Sequence, residues 1–299
     1  MLLNPIFNNI FIPKNDIEQL KEIKHITAIQ ISEQKKTNSV PFLVLCDDGE
    51  LYYAKTIFKT HPPYEDVINE ILSVYFLELM GVQTISPALI KIPQDVFDSF
   101  KLEKKFCDKR YDRLKFDDIY FFGSLVRYSA TELDSYNTVF KNKHDYNKFI
   151  NPIDLLKIGV FDFWICNKDR RGSNPNILID ETVNGKFEIL PIDHTQAFAY
   201  QSNYKALRIE LMDSSHSKSL LRTPMSKSIL KFADSNYIAT LDKEIQGGFN
   251  NVISNIEFVF DQVPREFGLS KKGKEKIKEI LSNKERNETM SKIHLSILR

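Results

Sequence analysis

The chain has 299 residues, 42% of them hydrophobic and 27% charged. That is material for about two domains or one bilobal domain, and it excludes a disordered or fibrous protein. Lys and Arg number 41 against 40 Asp and Glu, a net charge of +1, so neither a strongly basic nucleic-acid binder nor a polybasic membrane binder is expected.

The opening residues, MLLNPIFNNIFIPK, are apolar, but they carry no basic leader and are interrupted by Asn and Pro. No signal peptide is expected from them. Residues 26–31 (ITAIQI) read as a strand, followed by a polar loop over 32–39. PFLVLC (41–46) and ELYYAK (50–55) read as two further strands around an Asp48-Gly49 turn signal. Apolar residues at 68, 71, 72, 75, 76 and 79 give residues 65–80 one helical face, with Gly81 placed to cap its end. SPALIKI (86–92) reads as a strand, 95–118 as a polar inserted loop with helical turns, and 119–127 as extended chain.

The pattern then changes. PIDLLKIGVFDFWIC (152–166) reads as a buried helix with Pro152 near its start. A polar loop follows over 167–174, then short strands at 176–180 and 187–193 around an Asn184-Gly185 turn. From about residue 203 the chain reads as mostly helical. The three cysteines, Cys46, Cys107 and Cys166, are odd in number and widely spaced. They predict neither a disulfide framework nor a zinc site, and favour a reducing cytoplasm. No apolar run is long enough to span a membrane.

Gly268 to Lys274 comes close to a GxxxxGK phosphate loop, but Glu275 stands where a hydroxyl should meet the cation, and no apolar strand leads into it. It reads as a helix start. The stronger pattern is Asp169, Asn174 five residues on, and Asp193 at the end of the hairpin that follows. Phosphoryl transfer from Mg-ATP uses a carboxylate to receive the attacking hydroxyl, with an amide oxygen and a second carboxylate on the metal. A single loop can aim the first two side chains into one cleft, and the hairpin returns the third beside them. Upstream, Lys55 closes an apolar strand and Glu70 lies on the next helix. A lysine at the inner end of a strand is costly to bury unless paired, and a helix carboxylate can hold it against nucleotide phosphates.

These residues carry a resemblance. PFLVLCDDGELYYAK (41–55), NEILSVYFLELMGVQTISPA (69–88), FGS (122–124), GVFDFWICNKDRRGSNPNILI (159–179), LPIDHTQAF (190–198) and the tail 263–288 resemble the HipA-like kinases, in the small form without the N-terminal subdomain. The resemblance implies an α+β, bilobal protein-kinase-like fold. Its N-lobe, residues 1–127, would be a small antiparallel sheet with one long helix, and its C-lobe, 128–299, mostly helical. It implies ATP and Mg²⁺ as cofactors, Asp169 as the catalytic base, Asn174 and Asp193 as metal ligands, and Lys55 with Glu70 at the phosphates.

Departures are also visible. The 32–41 loop, SEQKKTNSVP, lacks glycine, so phosphate contact falls to backbone N–H groups and to Lys35 or Lys36. The sequence has no HRD, DFG or APE. The resemblance further suggests phosphorylation within this loop, with Ser39 the first choice. The expected activity is transfer of the γ-phosphate to Ser or Thr of a protein, or of the chain itself. A phosphoinositide-type lipid kinase, which shares the Asp-Arg-x-x-x-Asn loop, and a silent pseudokinase binding module stay open. An antitoxin-like or regulatory partner is compatible with the family, and direct nucleic-acid binding is not expected.

Overall fold

The computed structural model describes residues 20, 22–36, 40–55, 59, 61–103, 107–116, 119–133, 140–200, 204–212 and 219–293. In its first half, β1 (Lys24–Gln34), β2 (Phe42–Cys46), β3 (Leu51–Lys55), β4 (Pro87–Lys91) and β5 (Tyr120–Leu125) close into a barrel in the order β1-β2-β3-β5-β4. Four of the pairings are antiparallel, and the parallel pair β1–β4 shuts the barrel. Strand alternation explains the packing. Phe42, Val44 and Cys46 point inward and are fully buried, as are Tyr52 and Ala54. By the same parity Lys55 lies on the outer face of β3, with Leu51 and Tyr53.

β1 is longer than the sequence suggests: Ser32–Gln34 continue the strand, and Glu33 and Gln34 pair with Leu43 and Phe42. The loop therefore starts at Lys35, whose backbone N–H donates to Pro41. The 95–118 insertion also has more role than its polarity implied. It forms α2 (Gln94–Glu103) and a short 3-10 turn at Lys109–Arg113. Phe97, Phe100, Tyr111 and Phe116 from this insertion are buried in the barrel core against Phe42 and Phe121.

The helix α1 (Glu65–Leu79) lies outside the barrel and packs on the outward residues Leu89 and Phe122. Its apolar residues share one continuous core with the second half of the chain, distinct from the barrel core. That second half contains β6 (Thr131–Glu132), α3 (Lys143–Asn147), α4 (Asp154–Trp164), β7 (Ile177–Glu181) and β8 (Phe187–Pro191), with the strands in the order β6-β7-β8. Then come α5 (Pro224–Phe232), α6 (Ser235–Ser254), α7 (Ile256–Asp261), α8 (Lys271–Leu281) and α9 (Lys284–Ser291). Ser270 caps α8, so the glycine-lysine segment is a helix start, as its sequence context indicates.

Trp164 is fully buried and stacks on Phe249 with ring centroids 4.3 Å apart. Its indole N–H donates to Asn287 Oδ1 at 2.7 Å. Asn287 is thus a core residue. Beside it, the buried Arg286 donates to the carbonyls of Phe163 and Trp164, satisfying the open end of α4. Among the described residues no helix is long and apolar enough to cross a membrane.

Candidate active site

The segment after α4 is fixed by a buried carboxylate. Asp162 lies inside the otherwise apolar end of that helix. Its side chain accepts from Asn167 Nδ2 at 3.0 Å, and its carbonyl accepts from Asn167 N at 2.8 Å. The chain turns there through Cys166, in the left-handed region at φ 54°. Burial pushes the Asp162 carboxyl up to about 6 even though Arg170 pulls it down.

Arg170 organises the loop beyond this turn. It is 2% exposed, and its Nε lies 2.9 Å from Asp162 Oδ2. Its Nη1 donates to the carbonyls of Pro175 and Asn176, and its Nη2 lies 2.8 Å from His194 Nε2. One guanidinium thus ties both ends of the 167–176 loop to the residue beside Asp193. Its burial against Asp162 makes Arg170 the partner of a local carboxylate.

The exposed side of this loop presents Asp169. Its Oδ2 accepts from Asn174 Nδ2 at 3.2 Å and from Asn176 Nδ2 at 3.3 Å. Arg171 Nη2 lies 3.6 Å from Oδ1. Reciprocal backbone bonds between Arg171 and Asn174, at 2.9 and 3.0 Å, close the loop. These contacts fix the direction of a carboxylate that is still 29% exposed.

The facing group centres on Lys55. Its ammonium pairs with Glu70 of α1 and lies 3.3 Å from Asp193 Oδ1. Asp193 Oδ1 also accepts from Thr195 Oγ1 at 2.8 Å. Burial opposes charge on Asp193, but Lys55 and the Thr195 hydrogen bond outweigh it and hold the carboxyl down to about 2. Glu70 is likewise held below the usual carboxylate range, because Lys55 outweighs its burial. The Lys55 ammonium is raised, since the two carboxylates overcome its own desolvation.

His194 joins the two groups. Its backbone N–H donates to Glu70 Oε1 at 3.1 Å. Burial pushes its ring down to about 4, so it is neutral near pH 7. Arginine can only donate, so Nε2 accepts from Arg170 and the ring proton sits on Nδ1, 3.5 Å from Glu70 Oε2. A line of polar contacts therefore runs from Asp162 through Arg170 and His194 to Glu70 and Lys55.

The structure thus brings Asp169 together with Asn174, and Lys55 together with Glu70 and Asp193, with Arg170 and His194 between the sets. Ser39 lies outside the described residues. Lys35, a candidate for phosphate contact, pairs with Glu33 at 2.5 Å and lies over the Tyr53 ring. Sequence reasoning missed Asn176 and Asp162 as site residues. A lone aspartate in the apolar run GVFDFW was the available signal, since a charge buried there requires a partner.

A family model described as HipA-like kinase matches residues 26–293. The chain belongs to the HipA-like kinase family. A search among curated proteins found no significant match. Among solved structures, this HipA-like kinase is similar to the Helicobacter pylori proinflammatory kinase CtkA, at 12% identity and TM-score 0.51, over 92% of this chain and 98% of that one. It also aligns with a Golgi casein kinase bound to Mn/ADP, at 12% identity and TM-score 0.38, over 93% of this chain and 73% of that one. A third alignment is with HipA of Shewanella oneidensis MR-1, crystallised with HipB and operator DNA, at 10% identity and TM-score 0.40, over 83% of this chain and 59% of that one. At 12% identity the likeness to CtkA is one of fold, which is kinase-like.

Proposed function

We propose that this HipA-like kinase uses ATP and Mg²⁺ to transfer the γ-phosphate to a Ser or Thr hydroxyl of a protein. The observation that carries this reading is Lys55 held between Glu70 and Asp193, beside a loop that presents a directed, accessible Asp169. In this reading Lys55 meets the nucleotide phosphates, and Glu70 keeps its ammonium in place. Asp169, oriented by the Asn174 and Asn176 amides, receives the proton of the attacking hydroxyl.

The donor set fits a magnesium ion. Asn174 directs its amide nitrogen to Asp169, which leaves its carbonyl oxygen for a cation, and Asp193 offers a carboxylate held ionised. Among the described residues no three His, Cys, Asp or Glu side chains gather as a metal site. A hard cation here would complete its shell with phosphate and water, as Mg²⁺ does. When bound, it supplies neutralisation of phosphate charge. Family membership favours a protein substrate over a lipid. Residues 1–127 would cover the nucleotide, and 128–299 would carry the catalytic loop. A regulatory protein partner of antitoxin type and a cytoplasmic setting complete the proposal, on family membership alone.

The test is incubation with γ-labelled ATP and Mg²⁺, with mass spectrometry of the protein and of a cell lysate. Phosphate is expected on protein Ser or Thr, including Ser39 in the 32–39 segment. Asp169→Ala should keep Mg-ATP binding and lose transfer, whereas Asp193→Ala should also lose the Mg²⁺ dependence of binding. Label appearing only in lipid would support the phosphoinositide-kinase alternative. Nucleotide binding with no transfer to protein or lipid would support the silent module.

A further inference from the structure

The turn that carries Asp193 has an unusual backbone. Asp193, Phe198 and Ala199 all occupy the left-handed region, at φ 58°, 56° and 56°, and none is glycine. Such conformations persist where surrounding contacts over-determine them. At its far end the turn is tied to the end of α4: Phe198 N donates to Ile165 O at 2.7 Å and Ala199 N to Cys166 O at 3.1 Å. At its start His194 N donates to Glu70 Oε1 of α1, and its middle is tied to α1 by the side chain of Asn69.

Asn69 precedes Glu70 and is 1% exposed. Its Nδ2 donates to Thr195 O at 2.8 Å and to Ala197 O at 3.1 Å. Its Oδ1 accepts from the Tyr204 hydroxyl at 2.7 Å. Two carbonyls can only accept, so the amide nitrogen must face them, and the tyrosine locks that orientation. Thr195, the residue gripped, is also the one whose hydroxyl donates to Asp193. Tyr204, Asn69, Thr195 and Asp193 thus form one hydrogen-bonded series.

We propose that Asn69 is a positioning residue: through the Thr195 and Ala197 carbonyls it holds the 193–199 turn so that Asp193 is presented for the metal and the phosphates, with Tyr204 fixing its amide. The proposal rests on Asp193 being the metal-binding carboxylate. Asn69→Asp is the sharp perturbation. It keeps the size and the acceptor for Tyr204, but sets carboxylate oxygens against two carbonyls. Tyr204→Phe removes only the hydroxyl. Asn251→Asp is the control: Asn251 Nδ2 donates to Leu79 O at 2.8 Å, the same kind of bond at the other end of α1.

Three measurements separate positioning from mere support: melting temperature without ligand, ATP affinity by calorimetry across a Mg²⁺ titration, and amide hydrogen exchange over 193–199. Asn69→Asp should raise the Mg²⁺ concentration that half-saturates tight ATP binding by about tenfold or more, as loss of an outer-shell partner does. Its affinity for metal-free ATP should change little, and exchange in the turn should quicken. Tyr204→Phe should shift both readouts in the same direction and less far. Asn251→Asp should lower melting without either effect. If Asn69→Asp fails to fold, Tyr204→Phe against Asn251→Asp decides. Lowered melting with wild-type Mg²⁺ dependence and unchanged exchange would make Asn69 a core residue only, and overturn the proposal. If ATP binding by the wild type ignores Mg²⁺, the assignment of Asp193 falls and takes the presentation role with it. That failure is recognisable because the turn would still loosen in Asn69→Asp.

Discussion

Removing the Lys55 ammonium leaves a carboxylate stranded. Glu70 is 3% exposed and, in Lys55→Met, would keep the His194 N–H and lose its counter-charge. Breaking a buried pair by deleting one partner costs about 3–5 kcal/mol, and the surviving hydrogen bond places this case at the lower end, about 3 kcal/mol. At this chain length that is a fall in Tm of about 5 °C. The pH dependence has a definite sign. In the native protein Lys55 holds Glu70 below its ordinary value of 4.5 against the effect of burial. The pair therefore contributes stability that is present above the unfolded value and lost as pH falls through the folded one. In Lys55→Met burial is opposed only by the His194 contacts, the Glu70 carboxyl moves above its unfolded value, and the folded state prefers it protonated. The deficit should be full near pH 7 and shrink toward pH 5, since about 3 kcal/mol corresponds to about two pH units. Adding Glu70→Gln should recover most of the melting temperature, because the amide still accepts from His194 and carries no charge. It should not recover phosphate transfer, which in the proposed function needs the ammonium. Thermal unfolding of the wild type, the single and the double variant at pH 5 and 7 reads all of this. A deficit that is equal at both pH values and unrelieved by Glu70→Gln would refute the reasoning.

Two further outcomes concern residues away from Lys55. Gly159 sits mid-helix in α4, where alanine would ordinarily gain about 1 kcal/mol; here a Cβ would lie 2.6 and 2.7 Å from Leu221 Cδ2 and Cγ. Overpacking of this kind costs about 1–3 kcal/mol, so Gly159→Ala should lower the melting temperature, and a rise would contradict the packing described. Burial pushes the Asp154 carboxyl from 3.8 up to about 6 despite Lys157 nearby, so the folded state binds a proton there before the unfolded chain does. That acid-side stability is full below the unfolded value and is lost as pH rises to about 6, about 3 kcal/mol in all. Asp154→Asn should flatten the change between pH 4 and 6 in urea unfolding, and an unchanged slope would assign it to other groups.

How much of the fold and the site was legible depends on range. Strands β2 and β3 and helix α1 declare themselves in LVLC, LYYAK and the 68–79 apolar face, because alternation and helical period are local. Closure of the barrel through Lys24–Thr27 against Ala88–Lys91 is a pairing across some sixty residues, and no local pattern encodes it. The last three residues of β1 look like a loop because Ser, Glu and Gln have poor strand propensity; the β2 backbone supplies the bonds that override it. The insertion hid its aromatics among charges, though Phe97 and Phe100 already had helical spacing. At the candidate site, Asp169, Asn174, Asp193, Lys55 and Glu70 could be singled out because the proposed chemistry demands those residue types. Arg170, His194, Asn69 and Asp162 could not be given partners, because a buried polar group is defined by what it meets across the fold.

Closing the five strands has a consequence for how other proteins can approach. An open sheet offers a row of unpaired N–H and C=O groups on which a visiting segment can add itself as a strand. In the barrel each strand is bonded on both sides. A partner that meets the barrel there must therefore be recognised by side chains and turns, and its affinity would answer to single surface substitutions in a way that main-chain zippering does not.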